Sequence, residues 1–253
     1  MTHWLAVPPG EVHLARPPVG LVVCQIRHES RIAACDGAVA LKIDRALDWR
    51  TCLEEHQLSY PTAGDSQTGA AASSVPAAGG WQMQSLDREW TVTVQADHFA
   101  IETSAYPGWS EFSRRLGLLV AAVDEAIAPA IESRIGLRFV NQLEHPDVAS
   151  PADWQRFIGE ALYQEKLYAA VGDDLKAVMQ VVELQPSTDC RLVMRHGFQR
   201  RGSLAYILDN DCSRQGAREF SSTGIATSMQ HLHDVALNAF SWGTTKDLRE
   251  HYA

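Results

Sequence analysis

A continuous apolar stripe between residues 112 and 127 constrains the fold more than any other feature of this sequence. Its members recur at spacings of three and four residues: Phe112, Leu116, Leu119, Val120, Val123 and Ile127. Because an α-helix turns once every ~3.6 residues, this spacing places all of them on one helical face. Pro107-Gly108 and Pro129 mark the two ends. The segment is therefore predicted to be a long amphipathic helix.

Strand-like segments lie on both sides of this helix in the sequence. They are predicted at residues 19–28, 81–83, 90–106, 133–144, 175–184, 190–198 and 203–209, with a bend at Asp97-His98 inside the third. Turn residues separate the last three segments, which is typical of an antiparallel meander. A second apolar stripe, in residues 229–240, predicts another amphipathic helix. We therefore expect an α+β fold in which amphipathic helices pack on an antiparallel sheet.

The two halves of the chain share an order of predicted elements: strand, helical segment, several strands, long helix. This order is consistent with a duplicated βαβββα unit, with pseudo-repeat halves at residues 17–130 and 131–253. We expect residues 1–253 to form a single domain, because a chain of this length can bury a sizeable core as one unit.

Three further segments complete the predicted organisation. Residues 45–56 fit a helix by the spacing of their leucines and tryptophan, and residues 150–162 fit a helix with Ser150 as N-cap. Residues 62–80 are rich in Gly, Ala, Ser and Thr, a composition that buries little apolar surface. They are predicted to form a flexible loop.

The net negative charge of the chain limits the kinds of partner that it can bind. The formal charge is -9 at pH 7 and the pI is near 5.5, whereas nucleic acid is bound through clustered Lys and Arg. No segment reaches the roughly 18 consecutive apolar residues that a membrane span needs. We therefore expect neither nucleic acid nor a membrane as partner.

The expected compartment is the bacterial cytoplasm. Residues 1–16 lack the pattern of a secretory signal, and the five cysteines are scattered with no CxxC pair. This distribution favours reduced thiols. Only four of the 22 basic residues are lysines, a bias that is typical of a high-GC bacterial genome.

Asp209 and Asp211 are the candidate metal ligands. One residue separates them at the end of a predicted strand, so both carboxylates can point to one side. Paired carboxylates suit Mg²⁺ or Mn²⁺, and no other cofactor is predicted. The alternative is that the two acids form charge-assisted pairs with Arg134 and Arg138 across the sheet and fix its register.

A third possibility is that the arginines hold a small anionic or phosphorylated ligand. Arg134 and Arg138 share a face of their strand, and Gly136 between them leaves room for a ligand or for a bulky neighbour. Asn141, at the end of the same segment, completes the candidate ligand-binding set.

Other catalytic patterns are not supported. The sequence contains no G-x-S-x-G elbow and no Gly-rich phosphate loop between a strand and a helix. His231 and His233 are two residues apart, which on a helix points them away from each other and prevents chelation of one metal ion.

Phe240 and Trp242, near the end of the last helix, are candidates for an oligomer interface, where aromatic residues are favoured.

Short motifs along the chain resemble a sporadically distributed bacterial family of about this length that has no assigned function. The motifs are Pro17 to Arg27, the Arg-Ile-Gly-Leu-Arg-Phe strand at 134–139, Tyr106 to Trp109, Leu208 to Asp211 and Leu232 to Phe240. Gly20 stands where an acidic residue is expected, and the insertion at 62–80 is unusually long. The resemblance implies a shared fold and gives no reaction.

Two functions follow as hypotheses. The first is a non-enzymatic binding or accessory protein that acts through a protein partner, a homo-oligomer or a small anionic ligand. The second is a metal-dependent enzyme that acts on a phosphorylated or other anionic substrate, with Asp209 and Asp211 as ligands and Arg134 and Arg138 as charge stabilisers.

Overall fold

A nine-stranded antiparallel sheet organises the computed structural model, which describes residues 14–56, 79–201 and 203–253. The strands are β1 (Val19–His28), β2 (Thr51–His56), β3 (Gly80–Ser85), β4 (Trp90–Val94), β5 (His98–Thr103), β6 (Ile131–Leu143), β7 (Gln180–Leu184), β8 (Cys190–Arg201) and β9 (Ser203–Glu219). Their order across the sheet is β2-β3-β4-β5-β1-β6-β9-β8-β7. The helices are α1 (Gly37–Ala46), α2 (Trp109–Ile127), α3 (Glu165–Val171), α4 (Ser222–Gly243) and α5 (Lys246–Tyr252). The predicted α+β fold with an antiparallel sheet is confirmed.

The neighbouring strands β1 and β6 lie at the boundary between two halves of the sheet. After β1 and α1, the meander β2 to β5 returns beside β1. After β6, short helices and the meander β7 to β9 return beside β6 in the same way, with one strand fewer. Each half therefore has the predicted order of elements. That the halves 17–130 and 131–253 are repeats of one unit stays a prediction.

The helices cover one face of the sheet, which we call the helical face. A row of buried apolar residues crosses six adjacent strands on this face: Val92, Ile101, Cys24, Leu137, Cys212 and Leu192. The sulfur atoms of Cys24 and of Met229 on α4 lie 3.5 Å apart, and Trp90 stacks on Phe112 of α2 at 5.9 Å between ring centroids. The opposite face, called the open face, carries the alternate side chains of the same strands.

The predicted helix at residues 45–56 is wrong. Helix α1 begins earlier, where the Asp36 side chain accepts a hydrogen bond of 2.8 Å from the Ala38 amide, and it ends at Ala46. Residues 51–56 form β2, the edge strand. An edge strand buries few side chains, so the apolar alternation that identifies a strand is weak there.

The predicted helix at residues 150–162 is also shorter than expected. Ser150 does start a helical turn through a capping box with Asp153, but the turn is a 3-10 helix, Pro151–Arg156. Ile158 then bridges Thr244 at the end of α4 in extended pairing. Of the predicted flexible loop, residues 62–78 lie outside the described residues, and Gly80 begins β3.

Within the described ranges, no helix has the length and apolar character to cross a membrane.

Candidate functional site

The predicted acids and arginines converge on the open face. Arg138 donates from Nε and Nη2 to the two carboxylate oxygens of Asp209, each at 2.8 Å. Nη1 of Arg195 lies 3.5 Å from Asp209 and 3.9 Å from Asp211. Arg134 lies 3.9 Å from Asp211. The hydrogen bond to Asp209 raises the pKa of Arg138 above its usual value. The open face therefore holds a network of alternating charges.

This geometry favours ion pairing over metal binding at Asp209 and Asp211. Both residues lie in the middle of β9, which extends to Glu219 and not, as predicted, to Asp209. A cation would have to displace the bidentate guanidinium of Arg138. Among the described residues, no group of three or more His, Cys, Asp or Glu side chains is placed to hold a metal ion. The metal site stays a prediction that a simple measurement tests.

We expect Asp209→Asn to lower the free energy of unfolding by about 1–2 kcal/mol, because it removes the charge from a bidentate pair whose acid is buried. Asp211→Asn is the control. Its nearest guanidinium atoms are 3.9 Å away, so about 0.5 kcal/mol or less is expected. Denaturant unfolding with EDTA, Mg²⁺ or Mn²⁺ measures both. A wild-type midpoint that rises with either metal, with no response in Asp209→Asn, would show a metal site.

Gly136 makes room for a neighbouring side chain. A Cβ atom at this position would lie 2.7 Å from Nη1 of Arg134. The guanidinium lies across Gly136, and Nη1 donates to Oε1 of Gln25 on β1 at 3.2 Å. Of the two occupants expected there, the structure places the bulky neighbour.

Asn141 is separated from the arginines by the sheet itself. It is buried on the helical face, where Nδ2 donates to the Leu208 carbonyl at 2.9 Å. Arg134 and Arg138 lie on the open face. The predicted ligand-binding set is therefore divided between two faces, and its members do not surround one small ligand.

Asn141 instead lines a cavity of about 580 Å³ on the helical face. The cavity lies between the chain before β1, the start of α2, strands β6 and β9, and α4. Four aromatic side chains line it: Tyr106, Trp109, Phe139 and Phe240. Among the described residues that line the cavity, none is Asp, Glu, Lys or Arg. Its size and apolar character are those of a small-molecule site.

Local geometry at the start of α2 places an aromatic pair in the wall. Gly108 has a φ of 114°, a conformation that favours glycine, and it precedes the first helical residue. The indole of Trp109 then stacks on the His233 ring, with 4.1 Å between centroids and 11° between planes. Its Nε1 donates to Oε1 of Gln230 at 2.8 Å. Contacts from α2 and α4 thus fix both rings.

His233 presents a neutral ring to this wall. Burial lowers the pKa of its imidazole below the usual value. Its Nδ1 has no hydrogen-bond partner among the described residues, since the Asp234 carboxylate is 3.7 Å away. The unprotonated imidazole is therefore favoured at neutral pH.

Asn210 is the most unusual residue of the cavity. It lies on β9 between Phe139 of β6 and Met194 of β8, and none of its surface is exposed. Neither Oδ1 nor Nδ2 has a hydrogen-bond partner in the described parts of the chain. An unpaired buried carboxamide lowers the stability of the folded protein, and a polar ligand group that pairs with it would recover that loss.

We expect Asn210→Leu to raise the free energy of unfolding by about 1–3 kcal/mol, because an apolar side chain of similar size removes two unpaired polar atoms. Asn141→Leu is the matched control on the neighbouring strand. It removes a satisfied hydrogen bond and should lower the stability by about 1 kcal/mol. Urea unfolding of both variants measures the difference. A loss of stability in Asn210→Leu as large as that in the control would show that the Asn210 amide is satisfied in the free protein.

Sequence reasoning missed Asn210 and the role of His233. The signal was available for Asn210, because strand alternation places it with Leu208 and Cys212 on an apolar face. The acids on either side of it, Asp209 and Asp211, lie on the open face. For His233 there was no signal, since its stacking on Trp109 depends on how α2 and α4 pack.

Comparisons with protein-family models, curated proteins and solved structures each found no match. The family resemblance drawn from short motifs stays a prediction.

Proposed function

We propose that this protein binds a small uncharged molecule in the cavity between the sheet, α2 and α4. The observation that carries the proposal is the carboxamide of Asn210, which is buried in the cavity wall with both polar atoms unpaired among the described residues. A buried polar group without a hydrogen-bond partner lowers the stability of the protein. A functional role explains most readily why such a group is present.

The chemistry of the lining agrees with a binding role. Apolar and aromatic side chains supply contact area, and the unpaired polar atoms of Asn210 and His233 supply orientation, whereas the Asn141 amide is engaged by the Leu208 carbonyl. This combination is the usual composition of a ligand pocket. The proposal keeps the binding or accessory role expected from the sequence and changes the site and the ligand.

An uncharged ligand is favoured over the anionic ligand expected from the sequence. The arginines that suggested an anion lie on the open face, where Arg138 and Arg195 already face Asp209. In the cavity, a charged ligand would lose its hydration without gaining an opposite charge from the described lining residues.

A cytoplasmic location and a protein partner remain part of the proposal. All five cysteines are free, in agreement with a reducing compartment. Phe240, one of the two residues of the predicted oligomer interface, is buried and lines the cavity.

Titration with Nile red, an uncharged dye whose fluorescence rises in apolar surroundings, tests cavity binding. Leu237→Trp adds volume inside the cavity and should weaken dye binding at least about tenfold. Thr227→Trp places the same ring on an exposed position of α4 and should leave binding unchanged. Ala236→Leu is a second filling variant if Leu237→Trp does not fold. Equal binding to wild type and to a folded cavity-filled variant would refute the site.

A further inference from the structure

The hydrogen-bonding pattern of Asn210 restricts the chemistry of a ligand in this cavity. A carboxamide presents an acceptor, Oδ1, and a donor, Nδ2, side by side in one plane. Both are buried and without a partner among the described residues, and because none of the Asn210 surface is exposed, a ligand reaches them when neighbouring side chains of the cavity wall move aside. A lone carbonyl satisfies only Nδ2 and leaves Oδ1 unpaired, which is costly in a buried site, and a single hydroxyl oxygen reaches both atoms only with bent hydrogen bonds. A group with a donor and an acceptor on adjacent atoms satisfies both.

The walls of the cavity restrict the shape of the ligand. The Tyr106 and Phe139 rings meet edge to face at 5.6 Å, and the Phe139 and His233 rings lie 6.0 Å apart. Trp109, stacked on His233, continues this aromatic surface. Aromatic walls favour a flat, polarizable ligand, because offset-stacked and edge-to-face ring contacts contribute beyond the area they bury.

Neutrality is the third restriction. The described lining residues carry no formal charge when the His233 imidazole is unprotonated, which burial favours. A phosphate or carboxylate in contact with them would be buried without a cation. The polar edge of the ligand must therefore be uncharged.

We infer that the ligand is a planar, uncharged aromatic heterocycle with a lactam edge, that is, a ring N–H next to a ring C=O. The ring N–H donates to Oδ1 of Asn210 and the ring carbonyl accepts from Nδ2. The inference rests on the proposed binding function and adds to it the class of ligand.

Four probe molecules of similar size separate the contributions of the ring N–H, the polar edge and a negative charge to the binding affinity. 2-Quinolone has the lactam edge, N-methyl-2-quinolone lacks the N–H, naphthalene lacks both polar atoms, and 2-naphthoate carries a negative charge. Displacement of Nile red gives their affinities for wild type. We expect 2-quinolone to bind roughly 10- to 100-fold more tightly than N-methyl-2-quinolone, the range expected for a bidentate pair. 2-Naphthoate should bind most weakly.

The variants identify the residue responsible. In Asn210→Leu, the preference for 2-quinolone over N-methyl-2-quinolone should disappear, while naphthalene binds at least as well as in wild type. Asn141→Leu, whose amide is engaged by the Leu208 carbonyl in wild type, should keep the preference. Retained naphthalene binding in Asn210→Leu also shows that the variant is folded with its cavity intact.

The outcomes that overturn the inference differ from those that overturn the function. If 2-quinolone, its N-methyl derivative and naphthalene bind equally, or if the preference persists in Asn210→Leu, the lactam inference is wrong and the binding cavity stands. If Nile red binds at the cavity and none of the four probes displaces it, the inference is also wrong. If Nile red binds wild type and a folded cavity-filled variant equally, the binding function itself is wrong.

Discussion

Arg214→Met is expected to lower the free energy of unfolding by about 3–5 kcal/mol, because it leaves the carboxylate of Glu132 buried without its partner. Arg214 on β9 and Glu132 on β6 form an ion pair beneath the helices, and the two residues are 3% and 2% exposed. A register shift between β6 and β9 at Glu132 and Arg134 brings Glu132 onto the helical face. Guanidinium denaturation of the variant measures the loss.

Two variants show that burial causes this effect. Arg218→Met removes an arginine that pairs with Asp189 at the surface and should cost less than about 1 kcal/mol. Glu132→Leu/Arg214→Met removes both charges and should recover most of the loss, because a well-packed apolar pair of similar volume can replace a buried ion pair. A double variant that is no more stable than Arg214→Met would show that the loss of stability does not come from the unpaired Glu132 carboxylate alone.

Trp154→Ala is expected to cost about 3–5 kcal/mol of stability, since it removes a completely buried indole and leaves a large void. Trp154 is 0% exposed and packs against Tyr206 of β9 and Phe157, at 5.4 Å and 6.2 Å between ring centroids. These contacts hold the 3-10 helix Pro151–Arg156 on the sheet. Thermal unfolding measures the loss.

Trp154→Phe is the matched variant for this contact. It keeps a ring in place, and Nε1 of Trp154 has no hydrogen-bond partner among the described residues, so only packing is lost. We expect about 1–2 kcal/mol, clearly less than the alanine effect. If Trp154→Ala costs less than about 1 kcal/mol, the 151–156 segment does not depend on this anchor.

Much of the fold could be predicted from periodicity. The apolar stripe of α2 is present as predicted and buries Phe112, Leu119 and Val123 in the core. The bend at Asp97-His98 separates β4 from β5. These elements bury a complete face, and burial of a face produces the pattern that periodicity detects.

The elements that were not predicted bury fewer side chains or depend on contacts with residues that are distant in the sequence. The edge strand β2 leaves most of its side chains outside the core, so its sequence lacks the buried alternation that predicts a strand. The segment after Ser150 leaves its helical path because Ile158 pairs with Thr244, a contact across more than eighty residues that local sequence does not encode.

The candidate site was predictable in part for the same reason. Strand alternation predicts that Arg134 and Arg138 share a face, and their pairing with Asp209 and Asp211 is one of the three alternatives left open by the sequence. In the structure Arg138 pairs with Asp209, and Arg134 lies 3.9 Å from Asp211. The cavity could not be predicted. It exists because α4 and the start of α2 pack around Asn210, and tertiary packing of this kind has no local signal.

Nuclear magnetic resonance of the tryptophan indole N–H groups tests the binding cavity most directly. Resonances of Trp109, in the cavity wall, and of Trp81, on β3, are assigned with Trp→Phe variants and followed while 2-quinolone is added. We predict a saturable shift of the Trp109 resonance, abolished by the cavity-filling Leu237→Trp, with the Trp81 resonance unchanged. A Trp109 resonance that stays in place at saturating 2-quinolone and Nile red would contradict the binding function.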